Sequence, residues 1–208
     1  MATQLSNDLI VGGNITFSGS LQPGISRADL VQDDLAAYSV PFSEMRIHDN
    51  LSSLLPSTAA ADDLALDGET FGTDSPFVVT SDLKAASGTQ YARWSFALPA
   101  EYTAAQSVRI KVKAGMLTTV SDGTATVDCS AYLSDDAGAV TGSDLVSTAA
   151  QSCNSLTQAD LSFELDASSL VLGSVIDCRL ACAVSDSATS TAVKIKVGRV
   201  QMLCDVKG

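Results

Sequence analysis

From Gly88 onward the chain alternates apolar and polar residues with a period of two, the pattern of strands buried on one face. In Tyr91–Leu98, Trp94, Phe96 and Leu98 alternate with Ser95 and Ala97. Ser107–Lys113 sets Val108, Ile110 and Val112 against Arg109, Lys111 and Lys113. Thr124–Leu133 sets Val127, Cys129, Ala131 and Leu133 against Asp128 and Ser130, after a Ser121-Asp122-Gly123 turn. Leu161–Leu165 is a shorter strand, and Ser174–Val184 sets Ile176, Cys178, Leu180, Cys182 and Val184 against Asp177 and Arg179. Ala192–Val197 sets Val193, Ile195 and Val197 against Lys194 and Lys196, and Gly198 predicts a bulge before Val200–Val206 continues the strand. About seven or eight strands separated by turn signals predict an all-β fold, a jelly-roll-like antiparallel β-sandwich over residues 88–208. No strand alternates with a long helical period, which argues against a parallel α/β sheet.

The first part of the chain reads differently. In Asp8–Gly19 two short apolar runs are broken by Gly12, Gly13 and Asn14, which supply the positive φ of a tight turn and predict a short β-hairpin at 8–19. Leu21–Ala86 is punctuated at Pro23-Gly24, Pro41, Pro56 and Pro76, with acidic and small residues between and little periodicity. Residues 1–87 therefore read as an extended N-terminal arm, with a turn or two of helix at Arg27–Tyr38 that Ser26 could cap.

Charge sharpens this division. The net charge is −12, and residues 1–90 carry three cations against twelve acids while residues 91–208 carry nine against twelve. An acidic arm repels phosphates and anionic lipid headgroups, so nucleic acid and membrane are not expected partners; a neutral or basic protein surface is. Met1–Ser20 lacks a basic start and an apolar core of the signal-peptide type, so use without crossing a membrane by a standard signal is expected. The five cysteines, Cys129, Cys153, Cys178, Cys182 and Cys204, are odd in number and form no CxxC pair. A complete intrachain disulfide set is impossible, and their inward strand positions predict reduced core thiols.

Candidate chemistry is sparse. The single histidine, His48, lies in MRIHDN, and a catalytic triad would need it beside a nucleophile that nothing in the sequence places there. Paired acids at Asp33-Asp34, Asp62-Asp63 and Asp135-Asp136 could hold a cation only if they converged across a cleft, and neighbours in an extended chain point to opposite sides. The period-two cysteines resemble packed hydrophobes more than loop-borne zinc pairs. The glycines at Gly12-Gly13 and Gly68–Gly72 lack the lysine and Ser/Thr of a phosphate loop. Lys111, Lys113, Lys194 and Lys196 form two alternating basic rows, expected as a solvated sheet face or a protein contact. No catalytic, cofactor-binding or metal residue is assigned, and the chain does not read as an enzyme.

Several stretches resemble a family of tailed-phage virion proteins encoded among capsid genes: Leu30–Tyr38 (LVQDDLAAY), Ser57–Leu66 (STAAADDLAL), Thr70–Pro76 (TFGTDSP), Leu98–Gln106 (LPAEYTAAQ), Lys113–Asp128 (KAGMLTTVSDGTATVD) and Leu203–Gly208 (LCDVKG). The resemblance runs from about Arg27 to Gly208. It implies a capsid decoration, or cement, protein: a jelly-roll-like body with an arm, no active site and no cofactor. Such a protein would assemble in the host cytoplasm, as a homotrimer bound to the outer surface of the major capsid protein lattice. The opening DLIVGGNITFSGSL also resembles short G-N-x-T strand elements of phage appendages. That keeps an alternative, a head or tail fibre or adaptor protein binding a host receptor or glycan. Repeats and a slender shaft, usual in fibres, are absent, which favours decoration.

Overall fold

The computed structural model describes residues 35–68, 70–187 and 191–206. Among them the strands are β1 (Leu35–Ser39), β2 (Arg46–Ile47), β3 (Asn50–Leu54), β4 (Ala65–Asp67), β5 (Phe77–Val79) and β6 (Ser87–Ala97). They continue with β7 (Val108–Met116), β8 (Thr124–Ser134), β9 (Val140–Thr141), β10 (Gln151–Ser152), β11 (Ala159–Leu165), β12 (Val175–Ser185) and β13 (Ile195–Asp205). Phe42–Glu44 forms a single 3-10 turn, and no α-helix occurs among the described residues.

The strands form two antiparallel sheets of a jelly-roll-like sandwich. The first runs β11-β7-β13-β5-β4, with β1 also on β13; the second runs β10-β8-β12-β6-β2-β3, with β9 on β8. The alternation seen in the sequence decides which face is inward. Val108, Ile110 and Val112 of β7, Phe163 of β11 and Met202 of β13 meet Val127 of β8, Trp94 of β6 and Ile176 and Leu180 of β12 in one buried cluster. Burying each large side chain contributes about 1.5–3 kcal/mol, so the central strands carry most of the stability.

The expected long strands are all present, and the register shift between Val197 and Arg199 places the bulge at Gly198. A Cβ on Gly198 would stand 2.8 Å from Gln158 Oε1, and one on Gly123 would collide with the carbonyl oxygen of Ser185. Gly123 needs glycine for close approach to backbone, whereas at Gly198 the end of the flexible Gln158 side chain can give way.

The extended arm is corrected from Leu35 onward. β1 lies along β13 from Leu35 opposite Asp205 to Ser39 opposite Gln201, β2 and β3 extend one sheet and β4 and β5 the other. Val40, Met45, Leu55, Leu64 and Val78 are buried in the common core. Strands of two to five residues show too few alternations to register as periodic, and their hydrogen bonds come from the long strands beside them. Leu35–Ser39 is strand rather than helix, while the hairpin at 8–19 and the rest of the predicted helical turn lie outside the described residues.

Backbone bridges close both sides of the sandwich. The Leu145 N–H donates to Ala131 O of β8 at 2.8 Å, and Leu145 O accepts from Asp166 N–H just past β11 at 2.7 Å, so one residue joins the two sheets. On the opposite side Leu64 N–H donates to Tyr91 O at 3.0 Å and Tyr91 N–H to Asp62 O at 2.7 Å. This second bridge brings residues 60–64 over β6, beside the β2–β3 turn.

Candidate functional site

That bridge assembles a polar cluster around the single histidine. His48 stands at the β2–β3 turn with Nε2 3.4 Å from Asp62 Oδ2 and Nδ1 3.8 Å from Asp63 Oδ1. Contrary to the expectation that neighbouring acids point apart, the turn at Ala61-Asp62, with Ala61 at φ 50°, lets both carboxylates converge on the ring, one near each nitrogen. The ring packs on Tyr91 with centroids 4.6 Å apart, and the Arg93 guanidinium donates to the His48 carbonyl at 3.4 Å. His48 Nδ1 and Asp63 Oδ1 are both buried and neither has a hydrogen-bond partner. Burial pushes the Asp63 carboxyl above its ordinary range, the charges of Asp62 and Asp49 add to this, and His48 offsets part of it.

Beside this cluster the outer face of the β8-β12-β6 sheet holds a shallow cleft of about 310 Å³ lined by His48, Arg93, Tyr132, Val140, Asp177 and Arg179. Its polar groups are largely engaged with one another. Arg93 donates to both carboxylate oxygens of Asp177 at 2.7 and 2.6 Å. Arg179 lies over the Tyr91 ring at 4.9 Å, and the tilted His48 imidazole packs on the same ring.

The outer face of the other sheet is different in charge. Arg109, Lys111 and Lys113 on β7 and Lys196 and Arg199 on β13 all project outward, against Asp160, Glu164 and Asp205. Asp160 takes Lys111 at 3.2 Å and Arg199 at 3.1 Å. These bonds and the nearby Lys113 hold its carboxyl below the usual range, the Lys111 hydrogen bond contributing most. Around the Gly198 bulge two clefts meet. One, of about 430 Å³, is lined by Phe77, Met116, Leu117, Leu156 and Lys196; the other, of about 440 Å³, by Val40, Pro41, Phe42, Leu66 and Arg199, and both include Pro76 and Gly198. Leu117 and Leu156 are exposed here, and Lys196 sits 3.8 Å above the Phe77 ring.

Of the four lysines singled out in the sequence, Lys111, Lys113 and Lys196 thus share one face. Lys194 belongs elsewhere, lining a separate cleft with Asp67 and Asp82. Arg109 and Arg199 complete the basic face; Arg109 was visible in the β7 alternation, whereas Arg199 falls out of the simple period because of the bulge.

The remaining sequence candidates have structural roles. Asp33-Asp34 lie outside the described residues. Asp135 Oδ1 accepts from the N–H groups of Ala137 and Ala139, both at 2.8 Å, which holds the loop after β8 and lowers its carboxyl. All five cysteines are buried free thiols. Burial pushes Cys153 up to about 12 and Cys204 to about 11, and it raises Cys129, Cys178 and Cys182 well above the ordinary thiol range, so none is poised as a nucleophile. No helix of the described residues is long and apolar enough to cross a membrane.

No known protein family matches the chain by sequence, and no curated protein does. Among solved structures it is similar to the CBM22-1 xylan-binding domain of Xyn10C from Paenibacillus barcinonensis, with 13% identity over 84% of this chain and 97% of that one and a TM-score of 0.42. It is also similar to a xylan-binding module, CBM15, with 11% identity, 84% and 99% coverage and a TM-score of 0.41. A Family 16 carbohydrate-binding module shows 9% identity, 71% and 88% coverage and a TM-score of 0.39. At such identities and TM-scores nothing about ligand or partner transfers to this chain.

Proposed function

We propose that this protein is a non-enzymatic structural subunit of a tailed-phage virion, a decoration or cement protein that binds the outer surface of the major capsid protein lattice as a homotrimer. The observation that carries this reading is the outer face of β11-β7-β13: five cations in two rows, with exposed Leu117 and Leu156 and two adjoining clefts at its end. A broad face of fixed charge beside apolar anchors suits an extended protein surface better than a small substrate. The resemblance of the chain to virion proteins supplies the identity of that surface. Three of the stretches that carry the resemblance come together in the fold, since Leu35 pairs with Asp205, Tyr102 bridges to Val206 and Thr103 N–H donates to Asp205 O.

The partner face is then acidic rather than basic. Net charge expresses the whole chain, whereas docking depends on the face presented, and here five cations share the outer face of one sheet against Asp160, Glu164 and Asp205.

The fibre or adaptor reading stands second. The sheet face with the His48 cleft is where a receptor or glycan would bind, and Tyr132 and Arg179 line it. The mutual pairing of Arg93 and Asp177, and the contacts of Arg179 and His48 with Tyr91, leave that cleft few free groups.

Co-sedimentation with undecorated capsids tests the proposal. Wild-type protein should bind, more weakly as salt rises, and the triple variant K113E/K196E/R199E should lose binding while keeping the β-sheet circular dichroism of the wild type. Mass spectrometry of virions should find hundreds of copies per particle. Undiminished binding by the triple variant would remove the basic face as the contact; a handful of copies together with glycan binding would replace decoration by the fibre reading.

A further inference from the structure

We propose that His48 and Asp63 hold a divalent transition-metal ion of the zinc type between Nδ1 and Oδ1, with Asp62 orienting the imidazole from its other nitrogen. This does not depend on the capsid reading.

Asp62 Oδ2 faces His48 Nε2 at 3.4 Å, which favours the ring proton on that nitrogen. Nδ1 then turns a lone pair toward Asp63 Oδ1, 3.8 Å away, and both atoms are buried without a hydrogen-bond partner. The gap is too long for a direct N–H···O bond, which spans about 2.7–3.2 Å, so the two atoms face each other without a proton bridging them. A cation resolves it. Bonds of about 2.0–2.2 Å from a zinc-type ion to an imidazole nitrogen and a carboxylate oxygen span 3.8 Å when they open to about 130°.

The surroundings fit the same ion. One donor atom from each of His48, Asp62 and Asp63 lies within 4.8 Å of the others. Asp62 and Asp49 add negative charge close to Asp63. A carboxylate on the far nitrogen of a ligating histidine is the usual device that fixes its tautomer and raises its basicity. Arg93 holds the His48 carbonyl and Tyr91 supports the ring, so the imidazole is oriented before any ion arrives. The imidazole donor selects zinc, cobalt or nickel over calcium or magnesium, which prefer all-oxygen sites. Bound there, the ion would tie the β2–β3 turn to the 60–64 segment at the sheet edge, a structural rather than catalytic role.

Untagged protein, stripped with chelator, is titrated with ZnCl2, CoCl2 and CaCl2 by calorimetry and followed by thermal melting. One zinc per chain should bind, and zinc about tenfold above its Kd should raise the Tm by about 3–6 °C. Calcium should do neither. His48→Gln and Asp63→Asn should each weaken zinc binding at least tenfold, and Asp62→Asn should weaken it less. Bound cobalt should give a visible d–d spectrum that is absent in H48Q, a readout that survives if a variant is merely less stable. Failure of wild-type protein to bind zinc at millimolar concentration would overturn the proposal, as would calcium binding equal to zinc, or zinc binding unchanged in H48Q and D63N.

Discussion

Arg93 on β6 grips Asp177 on β12 through two hydrogen bonds, reaching diagonally past Arg179, the residue directly opposite it in the strand pair. Asp177 therefore keeps two like charges on neighbouring strands compatible. Asp177→Ala should destabilise the fold by about 1–2 kcal/mol, because the bidentate pair is lost and Arg93 and Arg179 face each other without a counter-ion. Adding Arg93→Ala should restore part of that loss. Urea denaturation of both single variants and the double variant measures the coupling; additive losses would show that the pair contributes little.

Gly123 precedes β8 where the chain passes against the backbone of Ser185 at the end of β12. Gly123→Ala places a methyl group on the Ser185 carbonyl, which cannot rotate away as a side chain would. A loss of about 2–3 kcal/mol is expected from overpacking. Gly138, with nothing near its missing Cβ, is the control, although its φ of +103° adds a backbone cost of its own. Melting temperatures should fall further for G123A than for Gly138→Asn, since asparagine tolerates positive φ.

The buried thiols make stability fall in alkali. Unfolded cysteine titrates near about 8.5, whereas Cys153 holds its proton to about 12 and Cys204 to about 11 because burial disfavours the thiolate. With folded values above the unfolded ones, this contribution is fully present below pH about 8.5. It then declines toward those folded values, by about 1.4 kcal/mol per pH unit for each thiol. Denaturant midpoints at pH 8 and pH 10 should show the drop, and Cys153→Ala should lessen it. Native alkylation at pH 8 should be slow at all five sites; fast labelling would contradict their burial.

A fragment beginning at Gly88 should not fold cooperatively. It lacks β1 through β5, and with them Val40, Met45, Leu55, Leu64 and Val78, leaving the edge of β13 without its partners. Circular dichroism and amide dispersion of fragments 88–208 and 33–208 should separate sharply, the second resembling the intact chain. A well-dispersed spectrum from 88–208 would restore the boundary that periodicity alone suggested.

The amino-acid sequence by itself determined the long strands β6, β7, β8, β11, β12 and β13, their inward faces and the bulge at Gly198. In each of them side-chain direction follows residue parity, and burial on one face writes that parity into the hydrophobic pattern. Tertiary structure alone decided the roles of residues 35–86, since β1 to β5 are too short to show a period and exist because β13 and β6 offer them hydrogen bonds. It also decided which charges act together. Arg199 joined Lys111 and Lys113 around Asp160 only through a three-strand register. His48 met Asp62 and Asp63 only because the Asp62 carbonyl docks on the Tyr91 N–H of β6. Parity is a local property that a chain carries in its order; convergence of distant groups depends on strand pairing, which follows from the packing of the whole sandwich.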